Sequence, residues 1–395
     1  MTLPLHNIRI LDFTRVLSGP FCTALLADLG AEVVKIEPPH GDEYRHIGPF
    51  KNGESALFNV VNRNKKSIAL DLTKPESVAL VRELAGTCEV VVENFRPGVA
   101  AKLGIDYASL SASNARLVYL SISGFGQTGP DAHKPAYDIV MQALCGLMEN
   151  TGDPLGPPML VGEAATDVLT GMFGSWAVLA ALFQREREGK GQHIDVAMFD
   201  STISFLVTSV ARFAFTGVAP TRVGNRHPLS APFGAFKAQD GFFVLAVLNT
   251  KLFHAMADAM ALPQLKTDTR YCDDNTRATH EATLRESIEL WAASRSANEV
   301  IVIMQAVGVP AAPISNIADA LASPQAQARA LVRPVQDARV PGLLLPTQPA
   351  KFSGHAAPPI RSAPQLGGDA ADVLTRWLGA ASDRIEALKE VGALR

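Results

Sequence analysis

The sequence predicts an α/β protein with an open parallel sheet in a large domain and a smaller α+β domain after it. Three observations predict this. Strand-like and helix-like stretches alternate over the first half, a pattern that builds parallel sheets through helical crossovers. Past residue 216 the pattern changes to a hairpin around Gln239-Asp240-Gly241, followed by helical stretches. The chain has 395 residues, 47% of them hydrophobic, which is enough for two cores.

The elements follow in order. Ile8 to Phe13 reads as a short apolar strand, and Arg15 to Pro20 as a loop. Pro20 suits the first turn of a helix running to Leu29, and Gly30 suits its left-handed end. Glu32 to Ile36 is the second strand, which completes a β-α-β unit. Pro38 to Asn52, rich in proline, glycine and charge, reads as a long exposed loop. Ser67 to Leu72, Glu89 to Glu93 and Leu117 to Ile122 read as further strands, with a helix over Pro75 to Ala85. Val168 to Phe183 is apolar nearly all round and belongs in a core. Gly189-Lys190-Gly191 turns the chain into a strand at Gln192 to Val196, and a second apolar helix spans Asp200 to Phe215.

Thr216 to Pro220 reads as a linker. The hairpin Phe233 to Lys237 and Phe242 to Leu248 follows, then helices over Lys251 to Met260, Arg277 to Ala293 and Ala297 to Val307. Pro341 to Pro364 lacks periodicity and reads as a traversing segment. Short helices close the chain at Asp369 to Leu378 and Ser382 to Val391, the last with Ser382 as its cap. The predicted division is 1–216 for the large domain, 217–330 for the small one with its linker, and 331–395 for a return segment that completes the large domain.

Composition narrows the function. A net charge of −3 gives no reason to expect nucleic acid. The first residues lack the charged and apolar regions of a signal peptide, and Val168 to Phe183 is short for a membrane span. Cys22, Cys88, Cys145 and Cys272 are scattered without metal-ligand spacing, so no metal site is expected and the cytoplasm is the expected compartment.

Ligands of open sheets bind beyond the carboxyl ends of the strands. Those ends are Arg15-Val16-Leu17, Glu37-Pro38, Leu70-Asp71-Leu72, Asn94-Phe95-Arg96 and Ser123-Gly124-Phe125-Gly126. No GxGxxG follows the first strand and no GxxxxGK[ST] occurs. Gly124 to Gly129 reads as an ordinary turn, since no helix start follows it. The basic run Asn62 to Lys66 fits either a solvated loop or a phosphate contact. Asp167, at the mouth of the long apolar helix, also has two readings. An acid there complements the helix dipole, and a carboxylate at the edge of a core can also be catalytic.

Several phrases, in order, resemble the family III CoA-transferases, the group that includes formyl-CoA transferase and α-methylacyl-CoA racemase. They are Leu11 to Pro20, Leu26 to Glu37, Asn62 to Ser67, Val92 to Gly98, Ser123 to Gly126 and Gly224-Asn225-Arg226-His227-Pro228, and the likeness extends to the closing Glu386 to Leu394. The resemblance implies a Rossmann-like large domain made from both chain ends, an inserted small domain and an interlocked homodimer. It implies that Asp167 is the nucleophile. It also implies CoA contacts at Leu17, Ser18, Leu70, Asp71, Leu72, Asn94, Phe95, Arg96, Lys102, Ala136, Tyr137 and Asp138. CoA and its acyl esters would be substrates, and no cofactor would be bound permanently. Pro38 departs from the arginine of the formyl-CoA enzyme, so one CoA contact would be missing or replaced, with Arg45 and Arg63 as candidate replacements.

An α-methylacyl-CoA racemase is the alternative within the family. Racemases resemble one another in placing a His directly before the Asp, where this chain has Tyr137 before Asp138, so one of their two bases is missing. A non-catalytic acyl-CoA-binding protein is a third reading. The resemblance further implies succinyl-CoA as donor and a dicarboxylate acceptor such as itaconate, mesaconate, citramalate, malate or glutarate. Arg222, Arg226 and His227 are candidates to hold the acceptor's remote carboxylate, against the reading of ordinary surface residues. Gly224 and Gly234 are candidates for a lid that excludes water.

Overall fold

The computed structural model describes residues 2–395. The chain forms two compact units. The first comprises Met1–Leu147, Val161–Gly217 and Pro324–Arg395, and the second Met148–Leu160 and Val218–Ser323. Residues 148–160, which the sequence placed in the large domain, thus pack with the second unit.

The first unit is built on six parallel strands: β1 (Arg9–Asp12), β2 (Glu32–Glu37), β3 (Lys66–Ala69), β4 (Val90–Glu93), β5 (Val118–Ser123) and β6 (Gln192–Ala197). Their spatial order is β3-β2-β1-β4-β5-β6. The order reverses between β1 and β4, which opens a crevice at their carboxyl ends. Both faces of the inner strands are buried, most fully in β4 and β5, whereas the edge strand β6 alternates between partly buried and exposed residues. Leu11, Ile68, Val91 and Tyr119 point to one side, which is covered by α2 (Pro75–Ala85) and the C-terminal helices α10 (Ala370–Leu378) and α11 (Ser382–Glu390). Ile10, Val90, Val92, Val118 and Leu120 point to the other, against α1 (Ser18–Asp28) and α4 (Ala165–Glu188). Ser382 is the first helical residue of α11 rather than its cap, which is Ala381.

Helix α4 extends the apolar run to 24 residues and by length and composition alone could cross a bilayer. It is not buried all round. Thr166, Thr170, Gly171, Gly174, Val178, Ala181 and Leu182 face inward, while Trp176 (67% exposed), Met172 and Phe183 face outward. The small residues explain the inward face. A Cβ on Gly171 would lie 2.6 Å from the Ser18 carbonyl oxygen, and one on Gly174 would lie 3.2 Å from Cys22 Sγ, so α1 and α4 approach closely only because these residues are glycines.

Two predicted helices are broken. The Asp200 to Phe215 run divides into α5 (Met198–Phe205) and α6 (Val207–Thr216), bent by 72° at Leu206, which is buried against Cys145 and Leu147. In the second unit, the Arg277 to Ala293 run breaks at His280, leaving α8 (Glu281–Ala292). That unit holds an antiparallel sheet of β7 (Phe233–Lys237), β8 (Phe242–Ala246) and β9 (Ala311–Pro313). Helices α7 (Thr250–Ala259), α8 and α9 (Ala297–Ala306) enclose Phe236, Phe243, Phe253, Ile288 and Met304 with it. A short helix the sequence did not signal, α3 (Asp138–Leu144), lies in the first unit and proves central to the site.

Candidate active site

The crevice at the strand reversal consists of two adjoining cavities that share Arg15, Glu43 and Phe95. The larger, about 580 Å³, lies over the ends of β1, β2 and β3 and is walled by Phe13, Ile36, Pro38, Leu70, Asp71, Leu72 and Leu103. The smaller, about 170 Å³, lies over β4 and β5. Its walls include Val16, Ser18, Asn94, Arg96, Gly124, Ala136, Tyr137 and Asp167. Nine of the residues expected to touch CoA therefore wall one crevice. Leu17 is not among the walls, although both its neighbours are. Lys102 is exposed one residue before Leu103.

Asp167 sits in the first turn of α4 and is partly buried. Burial is the largest effect on its carboxyl and pushes it up to about 7, and the nearby Asp138 carboxylate acts in the same sense. Ser18 opposes both with its hydroxyl and backbone N–H. Asp138 has a task of its own. Its Oδ1 accepts from the Thr166 N–H (2.8 Å), the Thr166 hydroxyl (2.7 Å) and the Asp167 N–H (3.4 Å). Its Oδ2 accepts from Gln142 Nε2 at 2.7 Å. Asp138 is thus the cap of α4, supplied from α3, because Ala164 at the cap position has no side-chain acceptor. Gln142, buried one turn after Asp138, accepts from the Val161 N–H at 3.0 Å and donates to the Glu163 carbonyl at 3.2 Å, which pins the segment leading into α4. Its i, i+4 spacing from Asp138 was legible in the sequence once α3 was known to be a helix.

Other ionisable groups near the strand ends are also shifted. Burial, with Asp167, Asp42 and Asp138 as further causes, pushes the Tyr44 phenol up to about 12, so it stays a hydrogen-bond donor at neutral pH. Glu93 accepts from the Phe95 N–H at 2.7 Å, and burial pushes its carboxyl up to about 7. Asn94 grips the backbone of Arg15 at both ends, accepting from its N–H at 2.9 Å and donating to its carbonyl at 2.8 Å. Among the described residues no group of three or more His, Cys, Asp or Glu side chains could hold a metal ion.

The basic run is neither a solvated loop nor a phosphate contact at its key positions. Arg63 makes a buried ion pair with Asp28 (2.6 Å), and Lys65 one with Asp12 (2.9 Å). Burial lowers the Lys65 ammonium to about 8, against the pull of Asp12. Arg63 is therefore not free to replace the arginine missing at Pro38. Arg45 is also engaged, with both Glu37 oxygens at 2.7 Å and over the Phe58 ring. The Gly124 to Gly129 stretch is more than an ordinary turn: a Cβ on Gly124 would lie 2.3 Å from that of Ala136, so glycine lets the crevice wall close.

In the second unit each substrate candidate has an internal partner. Arg222 pairs with Glu149 at 2.7 Å and Arg226 with Glu281 at 2.9 Å. His227 stacks on Phe233 and accepts from the Leu229 N–H at its Nδ1. A Cβ on Gly234 would meet the Asn225 carbonyl oxygen at 2.2 Å, so this glycine serves close strand pairing rather than a hinge.

A doubly wound sheet, a two-chambered crevice at its reversal and a carboxyl of raised pKa in the crevice wall make up the candidate site of an α/β protein. The family model for CoA-transferase family III matches residues 5–370, and the chain belongs to that family. It is 42% identical to the acetyl-CoA:oxalate CoA-transferase of Acetobacter aceti, over 92% of this chain and 93% of that protein. It is 39% identical to the succinate–glutarate CoA-transferase of Agrobacterium fabrum, over 83% of this chain and 84% of that protein. Its fold matches the crystal structure of a CaiB/BaiF family protein from Brucella suis with a TM-score of 0.85 at 34% identity, covering 95% of this chain and 100% of that one. The protein is a CoA-transferase.

Proposed function

We propose that this enzyme moves CoA from succinyl-CoA to a small dicarboxylate, with Asp167 as the group that carries the acyl chain. The observation that carries this reading is the position of Asp167, a carboxylate of raised pKa in the wall of the crevice that nine of the expected CoA contacts also line. A carboxylate nucleophile preserves the free energy of the thioester by passing it through an anhydride and splits one hard step into easier ones. Asp167 attacks the thioester carbonyl and expels CoA thiolate, leaving an aspartyl–succinyl anhydride. The thiolate attacks the aspartyl carbonyl of that anhydride, freeing succinate and leaving an aspartyl-CoA thioester. The acceptor carboxylate attacks this thioester and again expels the thiolate, which then takes the acceptor's acyl group and frees Asp167. Each attack builds an oxyanion that fixed N–H donors can meet, and the backbone N–H groups at the start of α1, which no side chain caps, are candidates beside Ser18.

The dicarboxylate class is supported by the two relatives named above, whose acceptors, oxalate and glutarate, are both dicarboxylates. The racemase reading loses support because Tyr137 stands where the second base is needed and Asp138 is spent as a helix cap. We also propose the interlocked homodimer. The outward face of α4, with Met172, Trp176 and Phe183, and that of α6, with Phe213 and Phe215 (93% exposed), present large apolar side chains of the kind that subunit contacts cover.

The test is an acceptor screen with succinyl-CoA and with acetyl-CoA as donors, read by mass spectrometry of the CoA esters. New dicarboxylyl-CoA from succinyl-CoA is expected, and turnover of monocarboxylates alone would refute the acceptor class. Asp167→Asn should bind CoA and fail to turn over. Exchange of the α-proton in D₂O without acyl transfer would select the racemase.

A further inference from the structure

Between β1 and α1 the backbone does something costly. Val16 has φ +66, in the left-handed region that a β-branched side chain enters only when its surroundings hold it there. The Val16 N–H donates to Asp42 Oδ1 at 3.1 Å. Asp42 is itself buried and pairs with the buried Lys35 at 2.8 Å, and Lys35 also donates to the Thr14 carbonyl at 2.5 Å. The Asp42 N–H is held in turn by Glu37 Oε2 at 3.1 Å. Asn94 clamps Arg15 from the other side. Every anchor except Asn94 comes from β2 or the loop after it, so the second strand dictates how the chain leaves the first. Two residues past Val16, Ser18 opens α1, and Val16, Ser18 and Asp167 wall the same chamber.

We infer that Asp42 is a positioning residue for the transfer reaction: by holding Val16 in its left-handed conformation it sets the start of α1 against Asp167. The inference rests on the reading of Asp167 as the acylated carboxylate. Loss of the Asp42 contact lets Val16 relax toward negative φ, which turns the chain at Leu17 and carries the Ser18 N–H and hydroxyl away from the carboxylate. Asp42 also lines the larger chamber over β2 and β3, but the apolar walls of that chamber, Phe13, Ile36, Leu70, Leu72 and Leu103, do not depend on it, so a displacement of this kind affects turnover more than substrate affinity. Glycine takes positive φ without a clamp, so glycine at position 16 should hold the turn when Asp42 is gone.

The experiment is a cycle of Asp42→Ala, Val16→Gly and the double variant, with kcat, KM and thermal midpoint measured for each in the full-length enzyme. Asp42→Ala should lower kcat by roughly 10- to 100-fold with KM for the donor within about threefold. The double variant should regain at least about tenfold of that loss, while its thermal midpoint stays as low as that of Asp42→Ala, since Lys35 remains unpaired in both. Equal kcat in Asp42→Ala and the double variant would overturn the inference and leave Asp42 as a structural counter-ion. Should Asp42→Ala fail to fold, Val16→Pro and Val16→Gly decide the matter with the Asp42–Lys35 pair intact. Proline cannot take positive φ, and its turnover should fall at least about tenfold below that of the glycine variant. Similar turnover in these two variants would equally refute the clamp. Activity surviving in Asp167→Asn would instead refute the nucleophile assignment, whatever the cycle gives.

Discussion

Replacing Gly171 by alanine tests whether the α1–α4 contact controls the chemistry. The added methyl would lie 2.6 Å from the Ser18 carbonyl oxygen, 3.0 Å from the Phe21 ring and 3.2 Å from the Cys22 backbone nitrogen. Two of these three are backbone atoms and cannot rotate away. Ordinary contact begins near 3.4 Å, so the start of α1 must withdraw by roughly 0.8 Å. Over-packing of this sort costs about 1–3 kcal/mol. The gain in helix propensity from glycine to alanine offsets about 1 kcal/mol of it. The net loss, about 0–2 kcal/mol, should lower the melting temperature by only a few degrees. Turnover should suffer more. The withdrawal moves Ser18 from Asp167, and a misplacement of about 1 Å costs on the order of a hundredfold. Steady-state kinetics with saturating donor, alongside a thermal melt, should show kcat down by about 10- to 100-fold in a folded enzyme. A kcat within twofold of the parent would show that α1 and Asp167 are not coupled through this contact.

Other perturbations separate the roles of individual charges. Asp167 is raised from 3.8 to about 7 on folding, so between these values the native state binds the extra proton and stability falls as pH rises through the window. Asp167→Asn should therefore be more stable than the parent at pH 8, by up to about 4 kcal/mol, with the gain vanishing near pH 4 in urea titrations. For the parent enzyme, kcat should climb with pH through about 7 as Asp167, the proposed nucleophile, ionises. Lys65→Met breaks a buried pair and should cost about 3–5 kcal/mol by chemical unfolding. Lys66→Met, whose partners Glu32 and Asp372 are partly exposed, should cost less than about 1 kcal/mol. Arg226→Ala should leave the acceptor KM within twofold, since its guanidinium already serves Glu281. A tenfold rise in KM confined to dicarboxylates would assign it to the substrate.

The sequence by itself determined the parallel sheet, its helical crossovers and the strand ends that wall the crevice. These follow from apolar runs, turn residues and their spacing, all of which are local. It also marked Asp167 as one of two things, a helix-start acid or a catalytic carboxylate. Local pattern could not choose, because both uses put the same residue at the same place. What only the tertiary structure decided concerns groups far apart in the chain. Lys65 looks like part of a solvated basic run until Asp12, from β1, is found against it in the core. Asp138 looks like a ligand contact until α3 brings it to the bare first turn of α4. The outward half of α4 looks like core until its small residues are seen to take the inner face. The same holds at the mouth of the crevice. Nothing in the letters Arg15-Val16-Leu17-Ser18 announces a left-handed valine, since its strain is borne by Asp42 and Lys35 from the next strand. Burial and charge pairing depend on which residues meet in space, and that is how a helix-start acid comes to sit, at a pKa of about 7, in the wall of a crevice at the strand ends.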